Sequence, residues 1–458
     1  MTNKRRLFGD RAFYLSTLLL ALPVIGQNLV ENLVNLIDNF MVAGLGDVMM
    51  SGASVAGHIV FIFMVLFNAV CMSGGIFVTQ YYGAGDTRGI RQAVSFKVIT
   101  STTLLAIFLL VCLVFPRTVL GLMLVGNSQT EAIINEGVRY MRVIALAGLP
   151  MIVCYVCSSS LKEIGYVRQP LYVSFAAAMI NMFFNYALIY GNLGFPRLEV
   201  AGAAIATVIA RICEALIFIC IIARSDVPIR IGINDLFSID REICTNIFKR
   251  SLRIVASEAI WVMTETVTTA LYNGRGGADV VSGMASSFTI ANLYFTSLGG
   301  VNIATSVIIG KLLGEGKLEE AREKKTWLFF GSIIFSVFVT LMAVSTTLLV
   351  PVMYANLSLS AQSICKRMVF YMALFMPAWI IFNVELAVAR SGGDTDMAFY
   401  LDGLVNIVIM IPLVIFLAKA TSTGPVGIYI ISKFVDVAKV IACHFYLKKE
   451  TWLVNLTV

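Results

Sequence analysis

Two acids, Asp38 and Glu258, stand inside long apolar runs of this 458-residue chain. A charged side chain at the middle of a bilayer costs about 2.5–3.5 kcal/mol on insertion scales. Such a group persists where water, a proton, an ion or a partner meets it. Around Asp38 the run carries Asn28, Glu31, Asn32, Asn35 and Asn39 at i, i+3, i+4, i+7 spacing, which places them on one face of a helix. Around Glu258 a second run repeats the device with Trp261, Thr264, Glu265, Thr268 and Tyr272. That face offers two carboxylates, hydroxyls and aromatic surface on which a flat organic cation rests. Reversible binding of a cation or proton, and of organic cations, is the chemistry these types supply. Both faces are expected to line a polar cleft, with Asp38 or Glu258 as candidate sites for a bound proton or ion.

Interhelical hydrogen bonding is the competing role for the Asn and Thr residues. It suits the two acids less well, because a carboxylate buried without a partner is stabilised by a proton or a bound ion. Glu31 and Glu265, one or two turns away, serve as helpers or reach a polar vestibule. Glu385 in the tenth apolar run has no sequence-local partner and offers the second half another carboxylate. By contrast, Arg211 with Glu214, and Lys433 with Asp436 and Lys439, have the i, i+3 spacing of local ion pairs.

Several functions are excluded by what the chain lacks. No G-x-x-x-x-G-K-[ST] phosphate cradle occurs, so ATP is not expected as the energy source. The two histidines, His58 and His444, lie in no H-E-x-x-H or triad-like setting, and the single C-x-x-C, Cys154 to Cys157, has no second pair. Neither an enzyme nor a resident metal or cofactor is expected. Twenty Met and 30 Phe give soft apolar walls suited to packing, and to partners of differing shape.

The elements that position these residues follow from composition. Hydrophobic residues make up 59% of the chain and charged residues 13%, against about 25% charged in a soluble domain. An ordinary globular surface cannot be built from this, and an integral membrane protein is implied. Apolar runs long enough to span as helices recur near 13–40, 53–80, 95–116, 138–160, 170–191 and 202–223. A second six lie near 251–273, 284–310, 327–350, 368–389, 398–418 and 426–447. Twelve spans in an all-α protein are predicted. The first has a basic start but no A-x-A-like cleavage site, and is read as a retained helix rather than a signal peptide.

Lys and Arg gather on one side of these spans, from Lys4-Arg5-Arg6 through Lys97, Lys162, Arg253 and Arg390 to Lys448-Lys449. The other side holds Arg117, Arg197, Arg275, Lys366, Arg367 and Lys419. Both termini are therefore expected in the cytoplasm. The +7 net charge reflects topology rather than nucleic-acid binding.

The chain is also written twice. A shift of 231 places Ser51-Gly52 on Ser282-Gly283, Gly83-x-Gly85 on Gly314-x-Gly316, and Tyr140-Met141 on Tyr371-Met372. A shift of 228 puts Lys162-x-x-Gly165 on Arg390-x-x-Gly393, and one of 225 puts Asn181 and Gly202 on Asn406 and Gly427. Six spans per copy make these parallel repeats. The expected organisation is a lobe at 1–224, a charged cytoplasmic linker at 225–250 and a lobe at 251–458.

Pro23, Asp38-x-x-Met41-Val42, Gly44-x-Gly46, Gly83-Ala84-Gly85-Asp86, Lys162-x-x-Gly165-x-x-Arg168-x-Pro170 and Arg390-x-x-Gly393-Asp394-Thr395 resemble the multidrug and toxic compound extrusion family over nearly the whole chain. The resemblance implies a V-shaped carrier with two pseudo-symmetric six-helix lobes in the bacterial inner membrane. It implies a monomer amid membrane lipids, driven by protons or sodium, that exports amphipathic, often cationic compounds. On this resemblance Asp38 matches the acid of the first helix implicated in cation coupling, and Asn181 the Asn that supports it. Asn185 stands where related members place an Asp, and cannot titrate. In another branch an acid of the tenth helix completes a site with a Glu of the seventh; here Glu258 lies about one turn earlier and Trp379 falls near the acid's place. The leading reading is a secondary antiporter coupled through Asp38. A flippase for lipid-linked precursors and a non-transporting receptor or assembly protein are the alternatives.

Overall fold

The computed structural model describes residues 7–124, 130–237 and 240–457, and among these the chain is helical with no strand. Twelve long helices appear where the apolar runs predict them. They are α1 (Arg11–Ala43), α2 (Asp47–Ala84), α3 (Thr87–Leu109), α4 (Thr130–Glu163, with a 3₁₀ turn at Ala145–Ala147), α5 (Arg168–Tyr190) and α6 (Glu199–Arg224). The second six are α7 (Arg241–Asn273), α8 (Ala278–Gly314), α9 (Leu318–Ser345), α10 (Leu359–Ser391), α11 (Ala398–Ala420) and α12 (Pro425–Leu447). Of the segment read as a linker, residues 233–237 form a short helix, and the last ten residues belong to α7.

Ten of the twelve are apolar and long enough to cross a bilayer. The other two, α7 and α12, are as long, but acids, lysines and threonines interrupt them. Large apolar side chains such as Phe40, Leu146 and Val352 are exposed, as expected where the outer surface of a helix bundle meets lipid and every backbone group is satisfied within the helix.

The chain divides into two compact units. One holds residues 26–78 and 86–251, hence most of α1 and α2 with α3 to α6. The other holds 7–25, 79–85 and 252–457, so it takes the first turns of α1 and the last turns of α2 along with the second repeat.

Within this second unit, the end of α2 crosses α8 in a way that carries the repeat into three dimensions. A Cβ on Gly83 would overlap the carbonyl oxygen of Lys311, and a Cβ on Gly314 would overlap that of Gln80. Shifting 80 and 83 by 231 gives 311 and 314, so each contact is the other's repeat equivalent. Gly310 meets Thr79, its own equivalent. A crossing that maps onto itself in this way lies on a local two-fold, where only glycine lets the backbones approach so closely. The turns that follow match as well, with Gly85 at φ +72 and Gly316 at φ +73. Gly83→Ala and Gly314→Ala are each expected to destabilise the protein by about 1–3 kcal/mol through overpacking. Gly57→Ala in α2, where a Cβ meets nothing within 4 Å, should instead be neutral or stabilising by up to about 1 kcal/mol. Thermal unfolding of the three variants checks the opposite signs.

Candidate functional site

In the first unit, α1 turns Asp38 toward α5. Asn185 Nδ2 donates to Asp38 Oδ1 at 2.5 Å and to Asn181 Oδ1 at 3.0 Å, and Asn181 Nδ2 donates to Thr207 Oγ1 on α6 at 3.4 Å. Asn181 and Asn185 are buried and lie one turn apart on one face of α5. Asp38 is half-buried and, among the described residues, takes part in no ion pair. Its hydrogen-bond partner is thus a neutral amide. The buried Oδ1 of Asn185 has no hydrogen-bond partner.

This arrangement has a definite chemical capacity. A side-chain amide presents an N–H at one end and a carbonyl oxygen at the other. Asn185 therefore serves a charged Asp38 as donor, as observed, and by turning over would serve a protonated Asp38 or an adjacent cation as acceptor. Asp38, Asn185, Asn181 and Thr207 thus form one hydrogen-bonded chain of oxygen-bearing side chains across α1, α5 and α6.

About three turns nearer the N-terminal end of α1, a second network runs through Gln27, whose Nε2 donates to Glu31 Oε1 at 3.1 Å, Ser174 Oγ at 3.1 Å and Ser158 Oγ at 3.4 Å. Ser174 donates to Glu214 at 3.5 Å, and Glu214 pairs with Arg211 at 2.5 Å, as the i, i+3 spacing predicts. Glu31 and Asn35 themselves are exposed.

The second unit handles its acids differently. Glu258 is joined to Arg390 Nη2 at 3.2 Å, an ion pair between α7 and the end of α10 that no spacing within one helix reveals. Glu265 lies 3.5 Å from Lys433, which lies 3.5 Å from Asp436; Asp436 is 3.2 Å from Lys439, and Lys439 is 3.0 Å from Asp402. Acids and bases alternate along this string. Asp402 and Asn406 reach it from the π-helical start of α11, Ala398–Leu404 and Asn406–Met410, a local widening often found at functional positions. Trp379 donates its indole N–H to Asp436 at 3.1 Å, so near the place where the resembling branch has an acid on α10, an acid arrives from α12.

The other residues of the seventh-helix stripe disperse. Trp261 is 40% exposed, whereas Tyr272 is buried with its hydroxyl 3.1 Å from Ser432. Thr264 and Thr268 bond back to carbonyls of their own helix. Glu385 is buried, with one oxygen 3.2 Å from His444 Nδ1 and the other without a partner.

The shift of 225 that superposes Gly202 on Gly427 also sets Arg211 and Glu214 on Asp436 and Lys439. The i, i+3 ion pair is kept in both repeats with its polarity reversed, and Lys433 stands where the first repeat has the buried apolar Val208.

A family model described as MatE matches residues 23–187 and 254–416, one segment in each repeat. The chain belongs to the MatE family. A "Probable multidrug resistance protein NorM" from Thermotoga maritima is 25% identical to this MatE chain over 325 residues, 69% of it and 67% of that relative. A protein of the same description from Pasteurella multocida is 20% identical over 422 residues, 89% of this chain and 87% of its own. Among solved structures, that of MATE in complex with MaL6 has a TM-score of 0.85 at 18% identity, and covers 97% of both chains. An outward-facing multidrug resistance MATE family transporter of the MOP superfamily gives 0.82 at 18%, also over 97% of both chains. The likeness fixes the fold of this MatE protein as an all-α membrane bundle of twelve helices in two six-helix lobes.

The differing partners of Asp38 and Glu258 predict different responses to neutralisation. Glu258→Gln leaves the buried Arg390 guanidinium without its acid and should lower stability by about 3 kcal/mol. Asp38→Asn keeps an acceptor for Asn185 and should cost less than about 1 kcal/mol. Unfolding midpoints of the two purified variants measure this, and equal losses would make Asp38 a structural pin.

Proposed function

We propose that this MatE protein is a secondary active multidrug exporter that releases amphipathic, cationic organic compounds in exchange for a proton or a sodium ion taken up at Asp38. The observation that carries the reading is that Asp38, a carboxylate within a membrane-spanning helix, is hydrogen-bonded by the neutral amide of Asn185 and, among the described residues, joins no ion pair. A charged partner would fix its state. Asn185 and Asn181 leave it free to gain and lose a cation at each cycle, while Glu31 sits beyond on the same helix within hydrogen-bond reach of Gln27. The names carried by the relatives from Thermotoga maritima and Pasteurella multocida support multidrug compounds as the cargo.

The energetics suffice without nucleotide. In a one-for-one exchange a tenfold gradient of the coupling ion supplies about 1.4 kcal/mol, which matches a tenfold ratio of substrate, and a 100 mV potential adds about 2.3 kcal/mol for each net positive charge that moves inward. The bias of Lys and Arg supports cytoplasmic termini in a bacterial inner membrane. With that orientation the concentration gradient of the coupling ion drives it inward as a singly charged substrate leaves, and the potential, inside negative, adds to the drive when more positive charge enters than leaves. A lipid-linked pyrophosphate cargo would call for a strongly basic interior, and α1 presents acids and amides instead.

The test is transport by vesicles reconstituted with the purified protein, with a proton gradient and a sodium gradient imposed separately. One gradient should drive movement of a fluorescent organic cation, and Asp38→Asn should abolish that response while its folding persists. Undiminished gradient-driven transport by this variant removes Asp38 from the coupling step.

A further inference from the structure

The two lysines of α12 are held in different ways. Lys439 Nζ has three oxygen partners, Asn406 Oδ1 at 2.6 Å, Asp402 Oδ1 at 3.0 Å and Asp436 Oδ1 at 3.2 Å. That matches the three N–H donors of an ammonium, and the group is fully used. Lys433, one turn and a half earlier, has only the two 3.5 Å ion pairs to Glu265 and Asp436, both beyond ordinary hydrogen-bond length. Two aromatic rings also lie close to it. Nζ lies 5.4 Å from the centroid of the Tyr429 ring and 5.6 Å from that of Trp379, within the range in which a cation is attracted to a ring face. The Lys433 side chain is nevertheless 12% exposed.

Two carboxylates and two aromatic faces around one ammonium make up the recognition set for an ammonium ligand. Here the ligand is part of the chain. We propose that Glu265, Asp436, Trp379 and Tyr429 form a binding site for primary alkylammonium cations, and that Lys433 is its tethered, displaceable occupant. The repeat supports this reading, since Lys433 replaces an apolar Val208 while the neighbouring ion pair is retained with swapped signs. A charge inserted where the fold accepts valine is not required by packing. Its effect is to keep free small cations out of the second unit while leaving Asp38 in the first unit open to them. The inference concerns equilibrium binding, and stands apart from the direction or coupling of transport.

The test is chemical rescue. Lys433→Ala removes three methylenes and the ammonium, the shape of n-propylammonium, and leaves Glu265 and Asp436 facing a vacancy. Unfolding midpoints of the full-length protein in detergent are measured against n-propylammonium chloride, with sodium and potassium chloride at matched ionic strength. Lys433→Ala should unfold at lower temperature than wild type and regain stability saturably with n-propylammonium. The concentration needed should be about tenfold lower than for any effect on wild type, where Lys433 competes. Adding Glu265→Gln or Trp379→Phe should weaken the rescue, and Lys433→Gln, which keeps the stem in place, should not be rescued. Lys433→Ala that folds only when the amine is present also supports the site. Failure of the amine to stabilise or fold Lys433→Ala, equal response of wild type, or rescue undiminished by Glu265→Gln overturns it.

Discussion

A bilayer does not tolerate a charge without company, and the polar architecture of this chain follows from how each buried charge is given some. In the second unit the company is another charge. Glu258 takes Arg390, and Glu265, Lys433, Asp436, Lys439 and Asp402 alternate in sign along three helices. In the first unit, Lys97 takes Glu163 with help from Ser159 and Ser160, and Arg211 takes Glu214. Asp38 departs from this pattern, because its neighbours are Asn185 and, behind it, Asn181.

The difference matters because an ion pair and an amide contact respond oppositely to a change of protonation. Neutralising one member of a buried ion pair strands the other and costs several kcal/mol, so the pair resists change and holds its helices in register. An amide has a donor and an acceptor, so it partners a carboxylate, a carboxylic acid or a bound cation at similar cost. Asn185 cannot titrate, which removes a second acid from the site, and its unpaired Oδ1 is the acceptor that a protonated or cation-bound Asp38 would use. Charge pairing thus builds much of the scaffold, and the neutral pairing of Asp38 leaves a carboxylate on it that can change state.

Much of this was legible in the sequence, for physical reasons. Span positions follow from apolar length, and all twelve helices appear where runs of that length occur. The two less apolar ones, α7 and α12, carry Glu258, Glu265 and several threonines in the first case and Lys433, Asp436 and Lys439 in the second. The repeat was visible in its glycines, since Gly83 and Gly314 occupy points where backbones touch, and Gly85 and Gly316 need positive φ. The i, i+3 pairs were readable because their partners share a helix. Pairs between helices were not. Arg390 sits at a helix end where loop and buried interior look alike in one sequence, and its partner lies 132 residues away. Lys97, counted with exposed basic residues, is fully buried for the same reason. The aromatic plate expected from Trp261 is supplied to the Glu265 end of the string by Trp379 and Tyr429, on α10 and α12, which no periodicity within α7 could reveal.

The central claim is that Asp38 is the carboxylate whose state changes. Difference infrared spectroscopy of the reconstituted protein tests it directly, by recording carboxyl bands as pH is stepped or sodium is added. The account predicts a responding carboxyl signal in wild type that persists in Glu258→Gln and is missing in Asp38→Asn. The same signal at full strength in Asp38→Asn would contradict it.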